Sequence, residues 1–205
     1  MKLNASLQLI GLSLLLSSSA LADDQNTFSS LTVGFTVTKP ASWQFFTAEQ
    51  NLENLKRVDM GDKQFQELVT KYATAPLVMM AKYPEPYDDL NPSFKVNIKP
   101  LGRMKGQDPK KILGAVVKGL KRMFKDLRMV QPPSDTTVSG LNAAHMRVDY
   151  SLSIPDGRSF PTASEMWIVP RGDYLFMIGT GTRQDEKTGT RAAIQTILKT
   201  VKIDK

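Results

Sequence analysis

The chain has 205 residues, with 27 Lys and Arg against 20 Asp and Glu, a formal net charge of +7, one histidine and no cysteine. Without a thiol, disulfides, thiolate metal sites and cysteine nucleophiles are excluded, and one histidine leaves a first-row transition-metal site short of ligands. The basic excess points to an anionic partner or to a solvated cationic surface.

Residues 1–22 read as a cleavable export signal. Lys2, the apolar run Leu7 to Leu16 and the small-residue triplet Ala20-Leu21-Ala22 follow one another in the order that export and cleavage require. An apolar run of about ten residues, at about 1.5 Å per helical residue, is too short to cross about 30 Å of hydrocarbon. Cleavage after Ala22 leaves residues 23–205 as one domain, expected to be periplasmic or secreted. It removes only Lys2 from the charge count, so 26 basic and 20 acidic residues remain, about +6. Lipid attachment would need a cysteine at the cleavage site, so the mature protein is expected to be untethered. A domain of this size buries about 70% of its unfolded surface and needs no staples.

After a polar leader to about Ser30, Leu31 to Lys39 alternates as a strand or short hairpin and stops at Pro40. Thr47 with Gln50 forms a capping-box start, and Leu52 and Leu55 open a helical stripe. Gly61 interrupts the stripe, and Phe65, Leu68, Val69 and Tyr72 continue it. Leu77 to Tyr83 and Ser93 to Lys99, each held between prolines, predict two strands. Glu85, Asp88 and Asp89 in the intervening loop lack the spacing of a calcium site and read as a solvated hairpin loop.

Asp108 followed by Pro109 predicts a helix start, and the periodicity carries the helix to about Leu127, before Pro132-Pro133. At about 100° per residue, Ile112, Leu113, Val116, Val117, Leu120, Met123, Phe124 and Leu127 fill one arc. Lys110, Lys111, Lys118, Lys121, Arg122 and Lys125 fill the opposite arc without an interleaved acid.

Leu141 to Ile154 and Ser159 to Val169 form a hairpin around Pro155-Asp156-Gly157, and Arg171-Gly172-Asp173 turns into a third strand, Tyr174 to Thr180. Ile194, Ile197, Leu198 and Val201 mark a closing helix. Helices before and after sequential strands predict an α+β domain with an antiparallel sheet. Both phases of Tyr174 to Ile178 are apolar, so that strand is expected to be covered on both faces, by helices on each side.

Several short motifs carry a resemblance. Gly34-Phe35 leads through Pro40 to Trp43, Val138-Ser139-Gly140 opens a strand, Glu165-Met166-Trp167-Ile168 lies in the hairpin, and Gly172-Asp173-Tyr174 enters the last strand. With the order of elements, these make the chain similar to the PsbP-like fold group, which includes the DcrB periplasmic lipoproteins and the Eag chaperones of type VI secretion. The resemblance spans most of the mature chain and implies an α/β/α sandwich with a binding or accessory role and no catalysis. The chain departs from DcrB-type proteins in lacking the lipid-attachment cysteine, and from the cytoplasmic Eag chaperones in carrying an export signal.

Three further features bear on chemistry. His145 shares a strand face with Arg147 and Asp149, opposite the apolar phase Ala144, Met146, Val148 and Tyr150. There is no Gly-x-Ser-x-Gly elbow to supply a nucleophile, so a hydrogen-bonded strand histidine is the simpler reading. Gly179-Thr180-Gly181-Thr182 has neither dinucleotide-fingerprint spacing nor a P-loop lysine, and reads as a tight strand-to-helix connection. Glu165 and Asp149 could form an acid–base pair only if the fold joined them. No cofactor or metal is expected.

The expected function is a non-enzymatic exported binding or accessory protein that docks on a protein partner or an anionic envelope surface. The basic residues Lys110 to Lys125 are the candidate binding face, with a merely solvated helix as the other reading. Nucleic acid is not expected, because no aromatic side chain is interleaved among the lysines for base stacking. An envelope hydrolase using His145 with a carboxylate is the alternative.

Overall fold

The computed structural model describes residues 25–56 and 75–204. The expected export signal and the stripe from Gly61 to Tyr72 lie outside the described residues, as does the side chain of Leu55. In chain order the elements are β1 (Thr27–Ser30), β2 (Phe35–Thr38), β3 (Gln44–Phe45), α1 (Ala48–Lys56), β4 (Val78–Ala81) and β5 (Ser93–Pro100). After a 3-10 turn at Gly102–Met104 come α2 (Pro109–Met123), β6 (Arg128–Val138), β7 (Leu141–Ser153), β8 (Ser159–Arg171), β9 (Tyr174–Arg183), α3 (Arg191–Thr200) and β10 (Lys202–Ile203).

Seven strands form one antiparallel sheet in the order β3-β4-β5-β9-β8-β7-β6, and β1-β2-β10 form a small second sheet. The period-2 alternation of β7, β8 and β9 sends apolar side chains to both faces of the large sheet. On one face Ala144, Met146, Ile168 and Leu175 meet Ile112, Leu113 and Val117 of α2. On the other, Trp167, Val169, Phe176 and Ile178 meet Ile194 and Ile197 of α3, together with Phe35 and Val37 from the small sheet. The expected antiparallel sheet covered by helices on both faces is therefore present.

The helix starts follow their sequence signals. Thr47 and Gln50 exchange hydrogen bonds, the Thr47 amide donating to Gln50 Oε1 and the Gln50 amide to Thr47 Oγ1. Asp108 accepts from the Lys110 amide, with Pro109 at the first turn of α2. The Thr190 side chain accepts from the Ala193 amide at the start of α3.

The structure departs from the sequence reading in four places. Helix α2 ends at Met123, not near Leu127. Phe124 adopts an extended backbone and its ring stacks on Tyr150 with centroids 3.9 Å apart, while the Asp126 carboxylate accepts from the Ser151 amide. Beyond it, Pro132-Pro133 lies inside a strand. That is possible because β6 is an edge strand and its register against β7 shifts on both sides of Gln131, so the missing amides are not required by the ladder. Finally, Gly179-Thr180-Gly181-Thr182 is not the connection to the last helix but the paired interior of β9; residues 184–190 make the connection. The polar stretch before Leu31 also forms a strand, β1, so Leu31 falls in the hairpin turn.

Candidate functional site

Helix α2 lies on the sheet with its apolar arc inward, so its polar arc must face out. Lys111, Lys118, Lys121, Arg122 and Lys125 are all exposed, and among the described residues none of the five makes an ion pair. The sixth member of the set differs. Lys110 donates to Asp135 on β6 at 2.7 Å and sits 3.8 Å from Asp108, and the hydrogen bond to Asp135 raises its pKa. Its charge is spent locally. Lys125 lies past the helix end, in the turn to β6, and is exposed. The structure thus keeps five uncompensated cations of the six predicted, four on the helix and one just after it.

A second cluster lies on the opposite face of the sheet, under the start of α3. His145 Nε2 and Glu165 Oε2 are 2.7 Å apart, and both residues are buried, 7% and 4% exposed. Arg191 grips the same carboxylate bidentately, Nε to Oε1 at 2.6 Å and Nη2 to Oε2 at 2.9 Å. The imidazole stacks on Trp167 at 4.5 Å. Burial alone would raise the Glu165 pKa, but hydrogen bonds from His145 and Arg191 outweigh it and hold the carboxyl below its ordinary value. An ionised carboxylate only accepts, so the Nε2 nitrogen carries the hydrogen in this contact.

The hairpin register explains the pairing. Across β7 and β8, His145 faces Trp167 and Arg147 faces Glu165, which makes His145 and Glu165 diagonal neighbours on one face. Asp149, the other carboxylate considered, instead pairs with Arg128 at 2.6 Å. Both oxygens of Glu165 are engaged, and the side chain of His145 hydrogen-bonds no hydroxyl among the described residues. The arrangement anchors α3 to the sheet; it does not present an activated nucleophile. Arg191 was missed at the sequence level because it lies 26 residues beyond Glu165, on an element whose docking only the fold determines.

The loop around Glu85, Asp88 and Asp89 is also more than a solvated connection. Arg158 donates to the backbone carbonyl and carboxylate of Asp88 and to Asp156, tying this loop to the β7–β8 turn. Arg183 binds Asp89 and Asp185, and those hydrogen bonds lower the Asp185 pKa well below its ordinary value.

The layered sheet and its two covering helices define a PsbP-like fold. Among solved structures, it is similar to LpqN of Mycobacterium tuberculosis, a protein involved in cell envelope biogenesis, at 14% identity over 90% of this chain and 88% of that one, with a TM-score of 0.50. It is equally similar to the cyanobacterial PsbP of Synechocystis sp. PCC 6803, at 11% identity over 92% of this chain and 99% of that one, TM-score 0.51. The Ran-binding protein Mog1p of Saccharomyces cerevisiae aligns at 11% identity over 86% and 94% of the two chains, TM-score 0.48. At these identities the likeness concerns the fold. By sequence, the chain matches no family model and no curated protein.

Proposed function

We propose that this is a non-enzymatic, exported binding protein that docks on an anionic partner, an envelope membrane surface or an acidic protein, through the outer face of α2. One observation carries the reading: Lys111, Lys118, Lys121 and Arg122 on the polar arc of α2, and Lys125 just past its end, are exposed with no ion-pair partner among the described residues. Export is supported by the Lys2, Leu7 to Leu16 and Ala20-Leu21-Ala22 sequence, and the fold shared with LpqN, a protein of envelope biogenesis, is in keeping with it. A non-catalytic role is supported by the saturation of Glu165 and His145 by Arg191 and by each other.

A basic side chain near an anionic membrane contributes about 1 kcal/mol. Reversing Lys118, Lys121, Arg122 and Lys125 to Glu therefore removes about 4 kcal/mol of attraction, on the order of a thousandfold in partitioning at low salt. The residues are exposed and unpaired, so the melting temperature should barely move. The test is sedimentation with phosphatidylglycerol vesicles, with phosphatidylcholine vesicles as the control. An acidic-protein partner would instead appear in a pull-down from envelope extract that high salt disrupts. If the reversed protein bound both the vesicles and the extract as well as the native one at low salt, the basic face would be only a solvated surface.

A further inference from the structure

A groove of about 840 Å³ opens on the face of the sheet that carries α2, where the β4–β5 loop approaches the β7–β8 hairpin. That volume lies inside the range of about 300–1,000 Å³ that ligand-binding clefts occupy. Its apolar lining includes Phe46, Met79, Leu90, Leu152, Ile154 and Phe160, drawn from four separate segments of chain. Its rim has the opposite sign from the rest of the molecule. Glu85, Asp88, Asp89 and Asp156 line it against one arginine, Arg158, in a chain whose net charge is +7.

Contacts across the groove tie its walls together. Arg158, from the hairpin, reaches Asp88 Oδ1 at 2.7 Å and the Asp88 carbonyl at 3.0 Å, and so bridges the hairpin wall to the loop wall. Within the loop, Asn91 donates to Glu85 and to the Tyr83 carbonyl, and the Tyr83 and Tyr87 rings stack at 4.4 Å. Asp89 is held by Arg183 at the end of β9. Contacts of this kind lower the cost of ordering the cleft on binding. Arg158 is shared by Asp88 and Asp156, and Arg183 by Asp89 and Asp185, so two arginines face the four rim carboxylates and the rim keeps a net negative charge.

We infer that this groove is a docking site for a short apolar peptide segment flanked by lysine or arginine, contributed by a protein partner. The apolar residues of the segment cover the lining, and its cations meet the carboxylate rim. Electrostatic complementarity of this kind fixes the orientation and the choice of partner. The site is independent of the basic face of α2, which repels such a segment, so binding of a cationic peptide reports on the groove.

The test uses a fluorescein-labelled peptide of sequence Lys-Leu-Ile-Phe-Leu-Lys and its counterpart with glutamate at both ends, titrated by fluorescence anisotropy at low salt. The lysine peptide should bind saturably and at least tenfold more tightly than the glutamate peptide, about tenfold being one well-placed charge or apolar anchor. Ile154→Trp, which fills the groove, should weaken binding about tenfold. The variant Asp156→Asn, which keeps the bridge from Arg158 to Asp88, should lessen the salt dependence and lower affinity several-fold. Reversal of the α2 lysines should leave peptide binding unchanged or tighter, which separates this site from the basic face. Melting curves establish that each variant is folded. Absence of saturable binding by the native protein, equal binding of the two peptides, or native-like binding by both groove variants would overturn the inference.

Discussion

Replacing Glu165 by Gln tests how the buried charge cluster holds the last helix to the sheet. The native carboxylate accepts three hydrogen bonds, from His145 at 2.7 Å and from Arg191 at 2.6 and 2.9 Å, at a site only 4% exposed. The amide keeps the shape but turns one acceptor into a donor that faces another donor. A hydrogen bond to a charged group contributes about 1.5–3 kcal/mol, and removing one partner of a fully buried pair costs about 3–5 kcal/mol. Arg191 is 40% exposed and can regain water, which places the loss at the lower end, about 2–3 kcal/mol. For a domain of this size that is a fall of roughly 5–10 °C in melting temperature. Glu165 has a folded pKa below its unfolded value of 4.5, so its stabilisation is fully present above about pH 4.5 and is lost as pH falls through the folded value. Gln does not titrate; the gap between native and variant should therefore be full at pH 7 and shrink towards pH 3. Urea unfolding followed by fluorescence of Trp43 and Trp167, both buried, measures it. Equal unfolding midpoints at pH 7, or a gap that persists undiminished to pH 3, would refute the reasoning.

Two further substitutions probe the frame around the sites. Asp108→Ala removes the side chain that caps α2 and should cost about 1 kcal/mol, read as a lower urea midpoint with an unchanged slope. Gly34→Ala should cost more than about 1–2 kcal/mol and loosen the attachment of β10. Gly34 has φ +59°, and an added Cβ would lie 2.8 Å from Asp204 Oδ2 and 2.9 Å from Asp204 Cβ. Hydrogen exchange at the Asp204 amide, which donates to the Gly34 carbonyl, reports that loosening; unchanged protection would show that the terminal strand adapts.

The sandwich was legible in the sequence where one rule governed a whole element. The two-phase apolar pattern of Leu175 to Ile178 called for cover on both faces, and both helices are there because those side chains have nowhere else to be buried. Capping signals at Thr47 and Asp108 were local chemistry and were realised as written. Where the sequence misled, a tertiary contact overrode a local rule. The apolar period continues through Phe124 and Leu127, but stacking of Phe124 on Tyr150 ends the helix, and the edge position of β6 admits Pro132-Pro133 to a strand.

The same distinction governs the sites. The basic face of α2 could be read from the chain because a helix brings together residues three and four apart, so its charge pattern is already present in the sequence. The clamp on Glu165 needed the hairpin register as well, and the partner Arg191 needed the docking of α3. The acidic groove could not be read at all: its apolar lining and its carboxylates come from segments as far apart as Phe46 and Phe160. Each segment alone resembles an ordinary solvated loop. Only the fold brings them together, with Arg158 bridging to Asp88 across two turns 70 residues apart, and it leaves an acidic rim on a basic molecule. On the two proposed readings, a positive helix face and a negative groove on one side of a single sheet would take an anionic surface and a cationic segment respectively. Charge reversal on α2 and filling of the groove should then affect two separate binding events.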